Sequence, residues 1–232
     1  MEMPLVSVII ASKNRARYIG EAIESVLKQD YTSHELIVVD DASTDDTEKI
    51  VRSYSGVRFI AQGGTGIADA WNTGIQESRG ELIAFIDSDD VWVPHKLRVQ
   101  AEYLCAHPEI QYVVSRLKYF LQPGCAVPSN FKQNLLQGDY VGLLPQSLLA
   151  RKELFEKIGT FDTGLQYAND CDWFIRVKDR NIPMAVIPEV LLHKRVHASN
   201  TSNTCAAVNL NEILGVLRKS IDFNKNKKSV KS

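Results

Sequence analysis

The chain has few cysteines, no long apolar run and almost no net charge. Its four cysteines (Cys105, Cys125, Cys171 and Cys205) are far apart without a CxxC pair, which favours reduced thiols over a zinc site or disulfide framework. No apolar run approaches the roughly 20 residues that a membrane-spanning helix needs, and the first residues lack the basic segment of a signal peptide. A formal net charge of -1 over 232 residues gives no electrostatic reason to expect nucleic acid as a partner.

Two glycine-rich nucleotide motifs are also missing. Ala11-Ser12-Lys13-Asn14, which follows the first apolar run, has none of the glycines of a dinucleotide-binding fingerprint. Gly63-Gly64-Thr65-Gly66 is not a Walker A sequence, and we interpret it as a turn before a helix. The chain is 44% hydrophobic and 24% charged, which is typical of a soluble globular protein. Its length allows one sizeable core or at most two small domains.

The first half alternates apolar strands with amphipathic helices. We predict strands at 5–11, 34–40, 57–61 and 82–86, with helices after Asn14, Ser43, Gly66 and Pro94. Asn14 and Ser43 are expected to act as helix N-caps. Strands and helices that alternate over short connections build a mostly parallel α/β sheet with helices on both faces.

The second half is less regular. We predict strands at 111–120, 147–150 and 182–192, a long loop at 121–142, and helices at 152–158, after Asn169 and at 209–221. Pro188 is expected to interrupt the last long strand, and His193 and His197 to lie exposed in the loop beyond it. The basic tail of Lys225, Lys227, Lys228 and Lys231 is expected to be a frayed terminus.

An acidic turn, Asp87-Ser88-Asp89-Asp90, directly follows the buried strand at 82–86. Crowded carboxylates raise one another's pKa, and a divalent cation such as Mg²⁺ or Mn²⁺, shared with phosphates, would relieve the repulsion. On this motif alone, a solvated turn that begins the next helix is an equal alternative. Two further polar segments, Ser12-Lys13-Asn14 and Asp40-Asp41, also follow predicted parallel strands, at whose ends ligands bind. Three polar segments at the same edge of the sheet favour a nucleotide site with a metal.

Four segments together resemble the inverting glycosyltransferases of family 2, which have the GT-A fold: VSVIIASKNRARYIGEAIESVLKQ, ELIVVDDASTDDT, GELIAFIDSDDVWVPHKL and FDTGLQYANDCDWFIRV. The resemblance covers about residues 4 to 202. It implies one GT-A-like domain over 1–205, with a nucleotide-sugar half of about 1–107 and a smaller acceptor-binding half of about 108–205. A C-terminal helix and basic tail would follow over 206–232.

The resemblance also implies roles for individual residues. Ala11, Ser12 and Lys13 would line the nucleobase and ribose, and Asp41, or the adjacent Asp40, would bind uracil. Asp89 would contact the metal, with Asp87 on the ribose or a metal-bound water, Ser88 beside them in the donor site, and His197 as a further metal or phosphate ligand. Arg195 would contact the diphosphate. Asp170 would be the general base, although from the residues alone the acids beside it serve only the helix dipole.

The function implied is transfer of a sugar, with inversion, from a nucleoside-diphosphate sugar, expected to be a UDP-sugar, to an acceptor hydroxyl. Mn²⁺ or Mg²⁺ would assist, and the acceptor would be a glycan, a lipid-linked glycan or a small molecule. We expect a cytoplasmic protein with at most peripheral membrane contact and a possible homodimer. Lys13 and Trp71 stand where relatives often have an aromatic residue and an arginine, so a non-catalytic sugar-nucleotide-binding module is the alternative. A nucleotidyltransferase is disfavoured because its Gly-rich first loop is missing.

Overall fold

The computed structural model describes residues 3–200 and 206–229. Its strands are β1 (Val6–Ser12), β2 (His34–Asp41), β3 (Val57–Gln62), β4 (Leu82–Asp87), β5 (Val91–Trp92), β6 (Tyr112–Leu121), β7 (Asp139–Val141), β8 (Leu149–Arg151) and β9 (Met184–Val196). Its α-helices are α1 (Ile19–Leu27), α2 (Thr47–Arg52), α3 (Ile67–Glu77), α4 (Lys96–Ala106), α5 (Lys152–Ile158), α6 (Asn169–Asp179) and α7 (Ala206–Ser229). Two short 3-10 helices lie at Gln133–Gln137 and Pro145–Ser147.

One nine-stranded sheet runs through both halves of the chain. Its order is β3-β2-β1-β4-β8-β6-β9-β5, with β7 paired to β6. The four strands of the first half are parallel, as the strand–helix alternation predicts. The second half adds antiparallel pairs on β8, β7 and β5, together with one long parallel pair of β6 and β9. The α/β class is therefore confirmed, and no break in the sheet separates the two halves.

The core consists of two apolar layers, one on each face of the sheet. Val8 and Ile10 of β1 face the layer that contains α1 and α4, whereas Ile9 faces the layer that contains α3, α5 and α6. Successive side chains of a strand point to opposite faces, so an unbroken β-branched run such as that of β1 fills both layers. The helices thus cover both faces, and the loops at the strand ends are left at the edge of the sheet.

Two expected helix starts in the first half are wrong. Asn14 has a φ of 53° and accepts a bond from the Thr44 backbone N–H at 2.8 Å, so it joins two loops and α1 begins only at Ile19. Ser43 caps no helix, because its hydroxyl and N–H both bond to Asp40 at 2.6 and 2.9 Å. Polar side chains that form hydrogen bonds with the nearby backbone favour turns over helices. For this reason α2 begins only at Thr47.

The last strand is longer than the sequence predicts. Its pairing with β6 shifts between Ile187 and Val190, so Pro188 sits in a bulge that leaves the strand unbroken. β9 therefore continues to Val196. His193 is exposed as expected, but it lies on β9 and not in a loop. His197 does follow the end of the strand, but it is 1% exposed, so the expected exposure of His197 is wrong.

The C-terminal helix is longer than predicted and packs against α6. The expected fraying is wrong for Lys227, whose ammonium donates to the Asp179 carbonyl at 3.0 Å. Lys231 and Cys205 lie outside the described residues, and Cys105, Cys125 and Cys171 are free thiols. Among the helices described, none combines the length and the apolar character needed to cross a membrane.

Candidate active site

Three strand ends meet at one edge of the sheet. β1 pairs in register with β2 and β4, so Ser12 lies beside Asp40, and Ala11 lies beside Asp87. Ala11 and Ser12 are both buried, and the Ser12 hydroxyl has no hydrogen-bond partner. Because parallel strands end at the same edge, side chains from three loops come together there, in the place where α/β sheets bind ligands.

Asp41 is held at this edge by donors from three directions. Its Oδ1 accepts bonds from Gln62 Nε2 at 2.9 Å and from the Gly66 backbone N–H at 3.2 Å. Its Oδ2 lies 3.3 Å from the Lys13 ammonium. Burial acts to raise the pKa of Asp41, but these donors outweigh it and keep the pKa below its ordinary value. The Lys13 side chain is 54% exposed, so it lies at the open rim.

Asp40 has a different environment from its neighbour. It is buried, and both of its carboxylate oxygens accept bonds from Ser43. The carboxylate therefore shapes the loop that follows β2. Of the two adjacent acids, Asp41 is the one that faces the Lys13 side of the edge, and Asp40 is turned into its own loop.

The acidic turn brings three carboxylates close together. Asp87, Asp89 and Asp90 each offer an oxygen within 4.8 Å of the others. The turn is closed by a bond from the Asp90 backbone N–H to the Asp87 carbonyl at 3.1 Å, and Ser88 is buried inside it. Like charges at this separation repel strongly, so the turn needs compensating positive charge.

Lys194 of β9 supplies part of that charge. Its ammonium lies 2.9 Å from Oδ2 of Asp87 and 2.9 Å from Oδ2 of Asp90. Burial acts to lower the pKa of Lys194, but the charges of the two carboxylates raise it well above its ordinary value. Burial raises the pKa of Asp90 to about 7 despite the lysine, with Asp87 and Asp89 adding to the effect. The turn thus carries an internal cation from the protein itself.

Asp87 is fixed by a second donor on its other oxygen. Gln146 Nε2 donates to Oδ1 of Asp87 at 2.7 Å, and because a carboxylate only accepts, this bond fixes which way the amide points. Trp92 Nε1 donates to the Gln146 carbonyl at 3.1 Å, and Gln100 Nε2 donates to the Ser147 carbonyl at 2.8 Å. The 3-10 turn Pro145–Ser147 is therefore anchored to β5 and α4, and it holds Asp87 in one orientation.

Asp89 points towards a different partner, His197. Its Oδ2 lies 3.1 Å from Nε2 of His197 and 3.6 Å from Nε of Arg15. Burial acts to raise the pKa of Asp89, but the hydrogen bond with His197 and the charges of Lys194 and Arg15 lower it overall. The His197 ring stacks on Tyr18 with centroids 4.5 Å apart. The end of β9 therefore places the imidazole of His197 beside Asp89, whereas Lys194 forms its ion pairs with Asp87 and Asp90.

Arg195 lies beneath the turn. It is 3% exposed; its Nε donates to the Asp89 carbonyl at 2.8 Å, Nη2 to Glu21 at 2.6 Å, and Nη1 to Gln122. The guanidinium also contacts the rings of Tyr18 and Phe120. These protein contacts engage each of its nitrogens, so the geometry favours a role in fixing the acidic turn over the expected contact with a diphosphate.

Asp170, from the other half of the chain, lies close enough to the acidic turn for the charge of Asp87 to act on it. It is the second residue of α6, and its Oδ1 accepts a bond from the Cys171 N–H at 2.7 Å. Burial raises the pKa of Asp170 above its ordinary value; the bond from the Cys171 N–H lowers the pKa, and the charge of Asp87 adds a smaller rise that Lys194 partly opposes. A carboxyl whose pKa is raised in this way is suited to accept a proton near neutral pH.

The residues at this edge fit a divalent cation. The donor set comprises carboxylate oxygens within 4.8 Å of one another and an imidazole nitrogen 3.1 Å from Asp89. Oxygen ligands suit Mg²⁺, and oxygen with imidazole suits Mn²⁺. Because Lys194 already engages Asp87 and Asp90, Asp89 and His197 are the pair that the geometry favours for direct ligation.

Sequence reasoning missed several residues of this site. Lys194, Gln146 and Arg15 all have side chains near the carboxylates of the acidic turn; Arg15 lies in the first of the quoted segments but was given no role, and Lys194 and Gln146 lie in none of them. The signal that could have found Lys194 was the continuation of β9 beyond Pro188, because a strand that passes the turn must present alternate side chains to it. Gln146 gave no sequence signal.

Comparison with known proteins identifies the family. The model of "Glycosyl transferase family 2" matches residues 7–160. An uncharacterised glycosyltransferase of Rickettsia prowazekii is 32% identical over 228 residues, which cover 87% of this chain and 67% of that protein. The Escherichia coli UDP-Glc:alpha-D-GlcNAc-diphosphoundecaprenol beta-1,3-glucosyltransferase WfgD is 42% identical over 103 residues, or 43% of this chain and 41% of that one.

Solved structures show the same fold at lower identity. Staphylococcus aureus TarS 1-349 in complex with UDP-GlcNAc superposes with a TM-score of 0.75 at 23% identity, over 94% of this chain and 66% of that one. The mannosyltransferase PcManGT from Pyrobaculum calidifontis, in complex with GDP-Man and Mn²⁺, superposes with a TM-score of 0.72 at 22% identity. The match covers 96% of this chain and 65% of that one. The sheet described above is thus the GT-A fold. The chain belongs to glycosyl transferase family 2, and it is a glycosyltransferase.

Proposed function

We propose that this glycosyltransferase moves a sugar from a UDP-sugar to an acceptor hydroxyl, with inversion at the anomeric carbon. The observation that carries the proposal is that the ends of β1, β2 and β4 converge on three carboxylates, Asp87, Asp89 and Asp90, within 4.8 Å of one another, close enough to Asp170 for the charge of Asp87 to act on its pKa. A leaving-group site and a base within reach of each other are what a single displacement requires.

The donor would bind along the ends of β1, β2 and β4. Asp41, with its free lone pairs and its fixed orientation, would accept a bond from the uracil N–H. Lys13, beside it, is exposed enough to lie against the base or ribose. Asp87 would accept from a ribose hydroxyl or from a metal-bound water, because Gln146 and Lys194 hold its carboxylate still. A fold relative was solved in complex with UDP-GlcNAc, which supports this nucleotide, whereas another was solved with GDP-Man.

The leaving group would be held at the far side of the acidic turn. A divalent cation bound by Asp89 and His197 would neutralise charge that develops on the diphosphate. The Arg15 guanidinium, 3.6 Å from Asp89, would add positive charge at the same place. Lys194 keeps Asp87 and Asp90 neutralised, so that the turn does not repel the incoming diphosphate.

Asp170 would act as the general base. It would accept the proton of the acceptor hydroxyl as the oxygen attacks the anomeric carbon from the side opposite the diphosphate. The C–O bond to the acceptor forms as the C–O bond to the diphosphate breaks, and nucleoside diphosphate leaves. One base and one charge-stabilising site suit a single displacement with inversion, whereas a retaining double displacement, as in glycosidases, needs a carboxylate nucleophile as well.

The acceptor would be a glycan hydroxyl, and a lipid-linked glycan is the class we favour. A relative that is 42% identical over 103 residues acts, by its name, on an undecaprenol-linked diphosphosugar. The loop between β6 and β7, which carries the 3-10 helix Gln133–Gln137, borders the second half of the sheet and would contact this acceptor. The protein would then meet the membrane only at its surface.

The first experiment is thermal stabilisation by UDP, GDP and ADP, each with Mn²⁺, Mg²⁺ or chelator. A ligand that binds only the folded state raises the Tm by mass action, so we expect a metal-dependent rise with UDP. Released UDP and the anomeric configuration of the product, determined by NMR, then test the transfer and its stereochemistry. A rise with GDP alone would overturn the UDP assignment, and product with the donor's own configuration would overturn inversion.

A further inference from the structure

The turn that precedes α6 is held by a residue from α7. The backbone N–H of Gln166 donates to Oε1 of Glu212 at 2.9 Å, and those of Tyr167 and Ala168 donate to Oε2 at 2.8 and 2.9 Å. Burial acts to raise the pKa of Glu212, but the three backbone donors lower it overall, which keeps the carboxylate ionised at neutral pH. Three successive amides thus converge on one carboxylate.

This arrangement replaces a cap that α6 lacks. The N-cap residue of α6 is Ala168, which has no side-chain acceptor, and the first N–H groups of a helix have no partner within the helix. The Glu212 carboxylate satisfies the N–H of the N-cap residue Ala168 and those of Gln166 and Tyr167 in the turn before it, and it lies at the positive end of the helix dipole. Glu212 therefore serves α6 as a cap from 44 residues away in sequence.

Asp170 depends directly on this turn. It lies two residues after Ala168, in the first turn of α6, and the helix opens with the bond from the Asp172 N–H to the Ala168 carbonyl at 2.9 Å. The backbone from Gln166 to Ala168 leads directly into this first turn, so the position of that backbone sets where the Asp170 side chain begins.

The rest of α7 is anchored separately. Ser220 Oγ and Asn224 Nδ2 both donate to Oδ1 of Asp179, at 3.0 and 2.8 Å, near the far end of α6. Val216 is buried between the two helices. Loss of the Glu212 carboxylate would therefore leave the helix pair docked, and its effect would be confined to the turn before Asp170.

We propose that Glu212 is a positioning residue for the catalytic base, so that the C-terminal helix is part of the active site's framework. This inference rests on the role proposed for Asp170. In this role α7 would affect the rate of transfer but not the binding of the donor. The reason is that the hydrogen bonds of Glu212 go to the turn before the base, and not to the groups at the ends of β1, β2 and β4.

The test compares Glu212→Ala and Glu212→Gln with the wild-type full chain. We expect kcat to fall about 10- to 100-fold in Glu212→Ala, the scale of a base displaced by about 1 Å, with the donor KM and the UDP-dependent rise in Tm unchanged. Amide hydrogen exchange at Gln166, Tyr167 and Ala168 should accelerate. Glu212→Gln should lie in between, because an amide offers one acceptor oxygen where the carboxylate offers two.

Asp222→Asn is the matched control, because Asp222 lies exposed on the same helix and should change neither kcat nor exchange. Faster exchange at the three amides with a kcat within twofold of wild type would overturn the positioning role. A parallel loss of UDP binding would overturn it too, because it would indicate a general structural effect. Failure of the wild-type protein to transfer from any UDP-sugar would instead count against the proposed function. If Glu212→Ala does not fold, Glu212→Gln carries the same comparison.

Discussion

The ammonium of Lys194 lies 2.9 Å from Oδ2 of Asp90, a carboxylate whose side chain is only 1% exposed. A buried charge with its counter-ion removed is among the most costly defects in a folded protein. The same ammonium bonds Asp87 at the mouth of the site, so one side chain links the stability of the fold with the charge of the donor site. Lys194 is consequently more than a surface lysine that happens to face an acidic loop.

Replacement of this lysine should destabilise the protein in a pH-dependent way. The folded pKa of Asp90 is about 7, above its unfolded value, so its contribution to stability is complete below about pH 4 and is lost as pH rises through about 7. Without Lys194 the pKa of Asp90 in the folded state rises further, so the pH range over which the protein loses stability extends to higher pH. We expect Lys194→Met to cost on the order of 3 kcal/mol at pH 8, and less at pH 5, by urea denaturation.

The control for that comparison is Lys118→Met. Lys118 lies on β6 beside His193 of β9 and is exposed, so its loss removes the same charge with an effect within about 0.5 kcal/mol. An equal loss of stability at pH 5 and pH 8 in Lys194→Met would show that Asp90 does not titrate in the way its surroundings imply.

Replacement of the proposed base should separate catalysis from donor binding. In Asp170→Asn the side chain keeps its shape and its bond to the Cys171 N–H but cannot accept a proton from the acceptor. We expect kcat to fall about 10²- to 10⁴-fold, with an unchanged UDP-dependent rise in Tm. Asp46→Asn, at an exposed position before α2, serves as the control. Turnover near the wild-type value in Asp170→Asn would remove this residue from the base assignment.

The same carboxyl predicts the acid limb of the pH–rate profile. Burial, together with the charge of Asp87, raises the pKa of Asp170, and the base works only when it is deprotonated. Therefore kcat/KM should fall as pH decreases through a value above about 3.9, the ordinary pKa of an aspartic acid. A profile of kcat/KM measured at fixed free metal tests this, and activity that stays level down to pH 4 would contradict the raised pKa.

The metal assignment can be tested with two histidines of one segment. His197 is buried 3.1 Å from Asp89, whereas His193 is exposed on β9. Mn²⁺ at 100 times its Kd contributes about 2.7 kcal/mol to the free energy of unfolding. We expect Asp89→Ala and His197→Ala to lose most of this contribution and His193→Ala to keep it, as measured by Tm with Mn²⁺ and UDP. Equal loss in both histidine variants would mean that the ion binds elsewhere.

The strands, and the acidic turn that follows one of them, could be predicted because their signals are local. An apolar β-branched run such as that of β1 predicts a buried strand from its own residues. The bounds of α5 are also those that the sequence predicts. Asp87 and Asp89 could be singled out because they directly follow such a run. The helix starts at Asn14 and Ser43 failed because both side chains bond to a neighbouring loop or turn instead.

The partners of those carboxylates could not be predicted, because they come from distant parts of the chain. Lys194 lies 107 residues from Asp87, and Gln146 lies 59 residues away. The approach of Lys194 depends on the pairing of β9 with β6 and β5, and that of Gln146 on the anchoring of its 3-10 turn to β5 and α4; local patterns specify neither. The sequence places Glu212 in the predicted helix at 209–221, but no local pattern indicates that its carboxylate contacts the turn before Asp170.

Two glycines in helices give a final prediction about packing. A Cβ added at Gly74 of α3 would lie 2.4 Å from Cγ2 of Ile9, whereas nothing lies within 4 Å of one added at Gly215 of α7. Alanine favours a helix over glycine by about 1 kcal/mol, so Gly215→Ala should stabilise the protein by up to that amount. Gly74→Ala should instead destabilise it by about 1–3 kcal/mol, because α3 must move away from β1. Urea denaturation of both variants measures the difference, and a stabilised Gly74→Ala would mean that α3 packs less closely on the sheet than these contacts require.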